Sequence, residues 1–167
     1  DAAAVVKELV ENSLDAGATR VDIRVKGRAA TERIIVSDNG SGIPFDDLEA
    51  LCKPHSTSKI SEFADLDNIS TFGFRGEAMS AIASLAERVT VTTKTAAENI
   101  ARQVVYRSDG SLGENSTAAR PVGTTVQVDN LFAKLPVRLQ EAQKHSSRDI
   151  SRCLSAVQEF ALILPQI

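Results

Sequence analysis

The segment VVKELVENSLDAGA, which starts at Val5, constrains the fold most because it combines an apolar arc with an aligned polar stripe. At about 100° per residue, Glu8, Asn12 and Asp15 lie along one narrow line of a helix. Gly17 suits a left-handed cap, so we predict a helix over residues 2–16. Taken alone, the stripe favours a solvated helix face over a functional site. The opposite, core-facing arc carries Val6, Leu9, Val10, Ser13 and Leu14.

The composition is that of an ordinary globular domain. The chain has 167 residues, of which 43% are hydrophobic and 25% charged, enough for one domain with a sizeable core. A net charge of −3 provides no overall attraction to nucleic acid or to an anionic membrane. Cys52 and Cys153 lie far apart without metal-binding spacing, so we expect reduced thiols in an intracellular protein. No apolar run reaches the roughly 18 residues of a membrane span, and no signal peptide is visible.

Hydrophobic patterns predict an alternation of helices and strands. The predicted strands span residues 21–26, 33–38, 88–95, 101–107 and 123–132, and residues 108–121 are expected to form a hairpin or loop. The predicted helices span residues 2–16, 44–52, 76–85 and 137–164, the last interrupted near Ser146 and Ser147. The polar stretch 53–72 has little periodicity, which indicates a functional lid. This order predicts an α/β fold, an α+β two-layer sandwich with a mixed sheet and helices on one face.

The motif DNGSGI follows the second predicted strand. Asp38 ends that strand, and Gly40 and Gly42 remove side chains where the backbone could approach a flat or phosphate-bearing ligand. Because Asn-Gly is a common turn dipeptide, a simple turn explains the motif when it stands alone. The spacing is not that of a dinucleotide-binding fingerprint, and the chain has no GxxxxGK[ST] phosphate loop.

A second glycine motif, TFGFRGEA, precedes a predicted helix. Gly73 and Gly76 bracket Phe74 and Arg75, so free backbone N–H groups, the helix dipole and the Arg75 charge would form an anion site. A flexible hinge explains this stretch equally well. Further along, the GTT of GTTVQV carries hydroxyls that strand propensity alone would explain.

In this order, the motifs together resemble the GHKL ATPase superfamily. More closely, VVKELVENSLDAGAT, DNGSGI, HSTSKI, TFGFRGEA and VGTTVQVDNLF are similar to segments of MutL-type mismatch-repair proteins. The resemblance covers residues 5–132 with specific motifs and the remainder more loosely. TFGFRGEA and LFAKLPVR resemble the eukaryotic PMS branch more than bacterial MutL. The resemblance implies a Bergerat fold with a mostly antiparallel sheet.

The same resemblance implies roles for individual residues. Glu8 would be the general base that activates the attacking water, and Asn12 would coordinate Mg²⁺ at the ATP phosphates. Asp38 would accept a hydrogen bond from the adenine amino group, with Gly40 and Gly42 beside the base and ribose. The other implied ATP-binding residues are Thr57, Ser58, Lys59, Gly73, Phe74, Arg75, Gly76 and Glu77 in the lid, and Thr124 or Thr125 beside adenine.

Elementary chemistry agrees with these roles. A base and a metal ligand must face the same phosphate, and one helical turn between Glu8 and Asn12 provides that spacing. Adenine presents an amino donor where guanine presents a carbonyl, so a carboxylate at Asp38 favours adenine. Asp15 either joins the metal shell or closes the helix end. His55 either contacts phosphate or is a solvated lid residue.

The resemblance implies Mg²⁺-dependent ATP binding and hydrolysis as a conformational switch in DNA mismatch repair. Implied partners are a second MutL homologue that dimerises through the N-terminal regions when ATP binds, a MutS-type mismatch-recognition complex and, weakly and non-specifically, DNA, with no membrane. The basic cluster around His145 is either a DNA contact or a solvated helix face. A PMS-type parent would be nuclear and a bacterial one cytoplasmic. Residues 1–167 would form the ATPase domain without the preceding helix and the following domain, so we expect weak hydrolysis from the chain alone.

Two rival interpretations remain open at this stage. One is another GHKL ATPase of the chaperone or topoisomerase type, which HSTSKI beside GFRGEA disfavours. The other is a non-catalytic nucleotide-binding module that keeps only the fold, which the presence of both Glu8 and Asn12 disfavours.

Overall fold

The structure is a computed structural model that describes residues 1–53 and 75–163. The helices are α1 (Ala2–Asp15), α2 (Arg75–Leu85), α3 (Pro136–Lys144) and α4 (Ser146–Ile163). The strands are β1 (Val21–Lys26), β2 (Arg33–Asp38), β3 (Ala86–Lys94), β4 (Ala101–Tyr106), β5 (Leu112–Ala118) and β6 (Gly123–Leu131). Single 3₁₀ turns occupy Arg28–Ala30 and Phe45–Asp47.

The strands form one six-stranded sheet in the order β1-β2-β6-β3-β4-β5. Every neighbouring pair is antiparallel, and β6 lies between β2 and β3 at the centre. Buried residues of β2, β3, β4 and β6 join those of α1, α2 and α4 in one hydrophobic core. This arrangement confirms the predicted α/β sandwich with helices on one face of the sheet.

Helix α1 matches its sequence pattern closely. It begins at an N-cap, Asp1, whose carboxylate accepts a hydrogen bond from the Ala4 N–H at 2.8 Å. It ends at Asp15, and Gly17 then adopts a left-handed φ of 72°. The buried residues of α1 include Val6, Leu9, Val10 and Ser13 from the predicted core-facing arc.

The predicted helix over residues 44–52 is wrong beyond its first turn. Only Phe45–Asp47 is helical, as a 3₁₀ turn, and it is followed by isolated turn bonds from the N–H groups of Ala50, Leu51 and Lys53 to the carbonyls three residues earlier. The buried hydroxyl of Tyr106 donates to the Leu48 carbonyl at 2.6 Å. A tertiary contact therefore satisfies a carbonyl that an α-helix would have used internally.

The segment 108–121, predicted as a hairpin or loop, contains a full strand. Residues 113–117 of β5 are all exposed. This stretch therefore has no need of the alternating apolar residues from which a half-buried strand is predicted. Pairing with β4 from Ala101–Ala118 to Tyr106–Leu112 decides the conformation instead. The predicted interruption of the last helix is confirmed at His145, between α3 and α4.

Both cysteines are buried and neither forms a disulfide, as the sequence predicted. Burial raises the pKa of the Cys52 thiol to about 12. In the part of the chain that the structure describes, no helix has the length and apolarity needed to cross a membrane. The predicted lid over residues 53–72 lies, apart from Lys53, outside the described residues.

Removing the Tyr106 hydroxyl should destabilise the fold. Tyr106→Phe leaves the buried Leu48 carbonyl with only the long hydrogen bond from the Leu51 N–H, at 3.4 Å, so the free energy of unfolding should fall by about 1–3 kcal/mol in urea denaturation. Ser84→Ala is the matched control because it removes an exposed hydroxyl that donates to the Ala81 carbonyl at 2.7 Å. That variant should change stability by less than about 0.5 kcal/mol. Equal losses in the two variants would contradict a specific role for the Tyr106 contact.

Candidate nucleotide-binding site

A cavity of about 310 Å³ lies between α1, the end of β2 and the segment that follows it. Its volume is within the usual range of small-ligand pockets. Leu9, Ile43 and Val126 give it apolar walls. Its polar lining comes from three separate parts of the chain and includes Asn12, Ser13, Asp15, Asp38 and Thr124.

The Asp38 carboxylate is fixed by donors from three elements. One oxygen, Oδ2, accepts from the Ser13 hydroxyl of α1 at 2.9 Å. The other, Oδ1, accepts from the Gly40 N–H at 2.9 Å and from the Thr124 N–H of β6 at 3.1 Å. A carboxylate has about four acceptor positions, so three bonds leave capacity for one more donor. The carboxylate is thus a positioned acceptor at the wall of the cavity.

The two glycines after Asp38 are required by the protein itself. A Cβ at Gly40 would lie 2.8 Å from the Ala16 carbonyl oxygen, where the Ser41 N–H also donates at 2.9 Å. Gly42 lines the cavity at a φ of 77°, and a Cβ there would collide with the Lys94 carbonyl. The sequence suggested that these glycines make room for a ligand, whereas the structure shows that they first make room for the backbone of α1 and β3.

The two adjacent threonines of β6 are separated by the sheet. Thr124 is buried and lines the cavity, whereas the Thr125 hydroxyl lies 2.8 Å from the hydroxyl of Ser37. Successive strand residues face opposite sides of a sheet, so Thr125 and Ser37 are on the face away from the cavity. Thr124 therefore belongs to the candidate site, and the prediction that included Thr125 is corrected.

Two hydroxyl residues that hold the site together were not predicted from the sequence. Ser13, assigned to the core arc, is 3% exposed, and its hydroxyl donates to the Asp38 carboxylate at 2.9 Å and lies 3.1 Å from the Leu9 carbonyl oxygen. Thr93 is fully buried, and its Oγ1 accepts from the Ile43 N–H at 2.8 Å and lies 3.1 Å from the Gly123 carbonyl oxygen. The sequence contained one signal for Ser13, which is a hydroxyl residue within the apolar arc of α1. A buried hydroxyl requires a hydrogen-bond partner, so its position there indicated a tertiary contact.

The polar stripe of α1 runs along the cavity. Asn12 and Asp15 line it, and Glu8 lies one turn earlier, half-buried and outside the cavity lining. Burial raises the pKa of Glu8, the negative charges of Glu11 and Asp15 raise it further, and Lys7 opposes them. The stripe is therefore more than a solvated face, because two of its members reach a cavity and the third carries a perturbed pKa.

The remaining predicted site residues belong either to the first turn of α2 or to the part of the chain that the structure does not describe. Arg75 and Gly76 begin this helix, and Glu77 is in its first turn. Met79 of the same helix lines the cavity. The predicted lid residues that fall outside the described part of the chain are Thr57, Ser58, Lys59, Gly73 and Phe74, together with His55.

Comparison with known proteins identifies the fold and its family. Residues 2–131 match the model of the histidine kinase-, DNA gyrase B- and HSP90-like ATPase family. The chain belongs to this family. Its likeness to MutL and PMS proteins is confirmed, since it is 45% identical over 163 residues to the mismatch repair endonuclease pms1 of Dictyostelium discoideum. That alignment covers 98% of this chain but 16% of the relative's length.

Solved structures agree with this family assignment. The N-terminal domain of a DNA repair protein has a TM-score of 0.83 and 40% identity, over 98% of this chain and 47% of that one. The MutL ATPase domain of Aquifex aeolicus, complexed with ADP, has a TM-score of 0.75 and 31% identity. That match covers 99% of this chain and 56% of the other. The GHKL fold predicted from the motifs is therefore confirmed.

The raised pKa of Glu8 predicts a cost in stability. A carboxyl whose pKa is raised on folding stabilises the fold at low pH, and this contribution is lost as the pH rises through the raised pKa. Glu8→Gln is neutral at every pH, so it should increase the free energy of unfolding at neutral pH. The gain should shrink as the pH falls from about 8 to about 4, where wild-type Glu8 becomes neutral.

Urea denaturation across this pH series measures the effect. Glu114→Gln, on the exposed strand β5, removes an equivalent charge away from α1 and should change stability by less than about 0.5 kcal/mol at each pH. A gain at Glu8 that does not depend on pH would contradict an ionisation effect.

Proposed function

We propose that this chain is the ATP-binding and ATP-hydrolysing switch module of a MutL/PMS-type mismatch-repair protein. The observation that carries the proposal is the Asp38 carboxylate, held by Ser13, Gly40 and Thr124 at the wall of a cavity with one acceptor position to spare. Adenine offers the matching amino donor. Guanine would leave the carboxylate facing a carbonyl oxygen, which such sites reject strongly.

The donor set also suits a divalent cation. Asn12 lines the cavity with an amide group, and Mg²⁺ prefers oxygen ligands while keeping most of its waters. Asn12 would hold Mg²⁺ through its amide oxygen, with Asp15 beside it on the cavity wall. When bound, Mg²⁺ neutralises phosphate charge as a Lewis acid.

Glu8 is our candidate for the general base. It precedes Asn12 by one helical turn, so the base and the metal ligand share one face of α1. Its raised pKa favours proton uptake from water more than an ordinary carboxylate would, because a catalytic base works best with a pKa close to the working pH. The positive N-terminal end of α2 would favour the phosphates.

In this proposal the nucleotide controls the assembly of the longer protein. ATP binding would promote dimerisation with a second MutL homologue, and hydrolysis would reset the cycle. A MutS-type complex and DNA are the further partners we propose. The parent protein would act in the nucleus if it is PMS-type and in the cytoplasm if it is bacterial.

Asp38→Asn tests adenine recognition. The variant loses the charge and places an amide donor against existing donors, so affinity for a non-hydrolysable ATP analogue should fall about a hundredfold in calorimetry. Asp109→Asn is the matched control because its carboxylate also accepts from the N–H two residues later, Ser111, in an exposed turn. That variant should bind like wild type. A folded Asp38→Asn protein that binds normally would overturn the adenine assignment.

Glu8→Ala in the full-length protein separates binding from chemistry. It should retain nucleotide affinity and lose about 10²-fold or more of the ATP hydrolysis rate, as expected for a general base. Glu11→Ala is the control, because Glu11 is on the same helix and pairs with Lys7 at 3.9 Å. It should keep most of the wild-type hydrolysis rate, because burial, the largest cause of the raised pKa of Glu8, is unchanged. Loss of hydrolysis at Glu11 with normal rates at Glu8 would reverse the two roles.

A further inference from the structure

Arg120 places its guanidinium among backbone carbonyls at the end of the sheet. It lies between β5 and β6, and three of its nitrogens each donate to a different carbonyl oxygen. Nη1 donates to Thr92 at 2.8 Å, and Nη2 donates to Asp38 at 2.8 Å. Nε donates to Pro121 at 3.1 Å. The planar fork of the guanidinium therefore joins β2 and β3 at their ends near the cavity.

These two strands are not neighbours, because β6 lies between them. The register of β2 with β6 ends at the pair Ser37–Thr125, one residue before Asp38. Arg120 thus supplies a donor to the Asp38 carbonyl just beyond the last residue pair of β2 and β6. It does so across Gly123, where a Cβ would lie 2.9 Å from Nη2 and would collide with the Asp38 carbonyl. Gly123, with a φ of 130°, makes the bridge possible.

The Arg120 guanidinium, which bridges β2 and β3, is partly removed from water and lies near the negative charge of Asp38. Burial lowers the pKa of Arg120, and the negative charge of Asp38 opposes that change. A guanidinium in a loop between strands would ordinarily extend into water. Here hydrogen bonds to the carbonyl oxygens of Thr92 and Asp38 offset its loss of hydration. Its hydrogen bonds within the described residues all go to backbone carbonyls, so it acts on the position of the main chain.

We infer that Arg120 is a positioning residue for adenine recognition, which holds the main chain of Asp38 against Thr92 and so fixes the place of the Asp38 carboxylate at the cavity. This inference rests on the proposed function, because it takes the adenine amino group as the donor to Asp38. The carboxylate is held from the cavity side by Ser13, Gly40 and Thr124, and Arg120 holds the backbone of the same residue from the sheet side.

The test compares ADP with inosine diphosphate, which has a carbonyl where adenine has the amino group. Calorimetry on wild type, Arg120→Gln and Arg120→Lys should give the affinity ratio for the two nucleotides. Wild type should prefer ADP, and Arg120→Gln should lose about tenfold in ADP affinity with little change for inosine diphosphate. Arg120→Lys should resemble Arg120→Gln, because an ammonium group cannot bridge two carbonyls as a fork does.

The control is Arg107→Gln. Arg107 is exposed and also donates to a backbone carbonyl, that of Leu112 at 3.1 Å, but it lies on the hairpin of β4 and β5. This variant should keep the wild-type ratio. A general loosening of the fold would lower the affinities for ADP and inosine diphosphate together and would leave their ratio unchanged. An unchanged ratio in Arg120→Gln would therefore overturn the inference. A wild-type ratio in Arg120→Lys would overturn it too.

The same measurements distinguish this inference from the proposed function. If wild type binds no ADP or shows no preference for it, the proposed function fails and the inference fails with it. If wild type prefers ADP and Asp38→Asn removes that preference while Arg120→Gln retains it, only the role of Arg120 is overturned.

Discussion

The hydrogen bonds to the Asp38 carboxylate are the interaction on which the site depends. They join α1 through Ser13, the turn through Gly40 and the central strand β6 through Thr124. One side chain thereby fixes the relative places of the helix that carries Glu8 and Asn12 and of the sheet that forms the cavity wall. An unpaired buried carboxylate would be costly, so these bonds stabilise the fold while leaving an acceptor position for a ligand.

The surrounding residues show how closely the backbone is packed at this junction. Thr93 links the Ile43 N–H to the start of β6, and Gly40 and Gly42 lie against the carbonyls of Ala16 and Lys94. Neither glycine has space for a Cβ atom. The glycines are therefore explained by packing within the protein, and the shape of the cavity follows from that packing.

Glu8 illustrates the balance between stability and activity at such sites. Its burial and its acidic neighbours disfavour the charged form, so the folded protein keeps this carboxylate at some cost in stability. A group that accepts a proton readily is what the proposed hydrolysis requires. The same physical environment therefore explains both the expected gain in stability of Glu8→Gln and the expected loss of hydrolysis of Glu8→Ala.

The sequence alone determined the elements with strong periodicity and the order of the motifs. The continuous apolar run of β2, the two faces of α1 and the position of Asp38 at a strand end follow from local patterns, and the order of the motifs was sufficient to predict the family. Only the tertiary structure decided that Thr124 rather than Thr125 faces the cavity, because the register of β6 sets which residues point to which side. The exposed strand β5 and the 3₁₀ turn at Phe45–Asp47 depend on partners distant in the chain, namely β4 and Tyr106. The contacts of Ser13 and Arg120 with Asp38 could likewise be found only in the tertiary structure. A hydrogen bond between residues far apart in sequence leaves no periodic pattern in either segment.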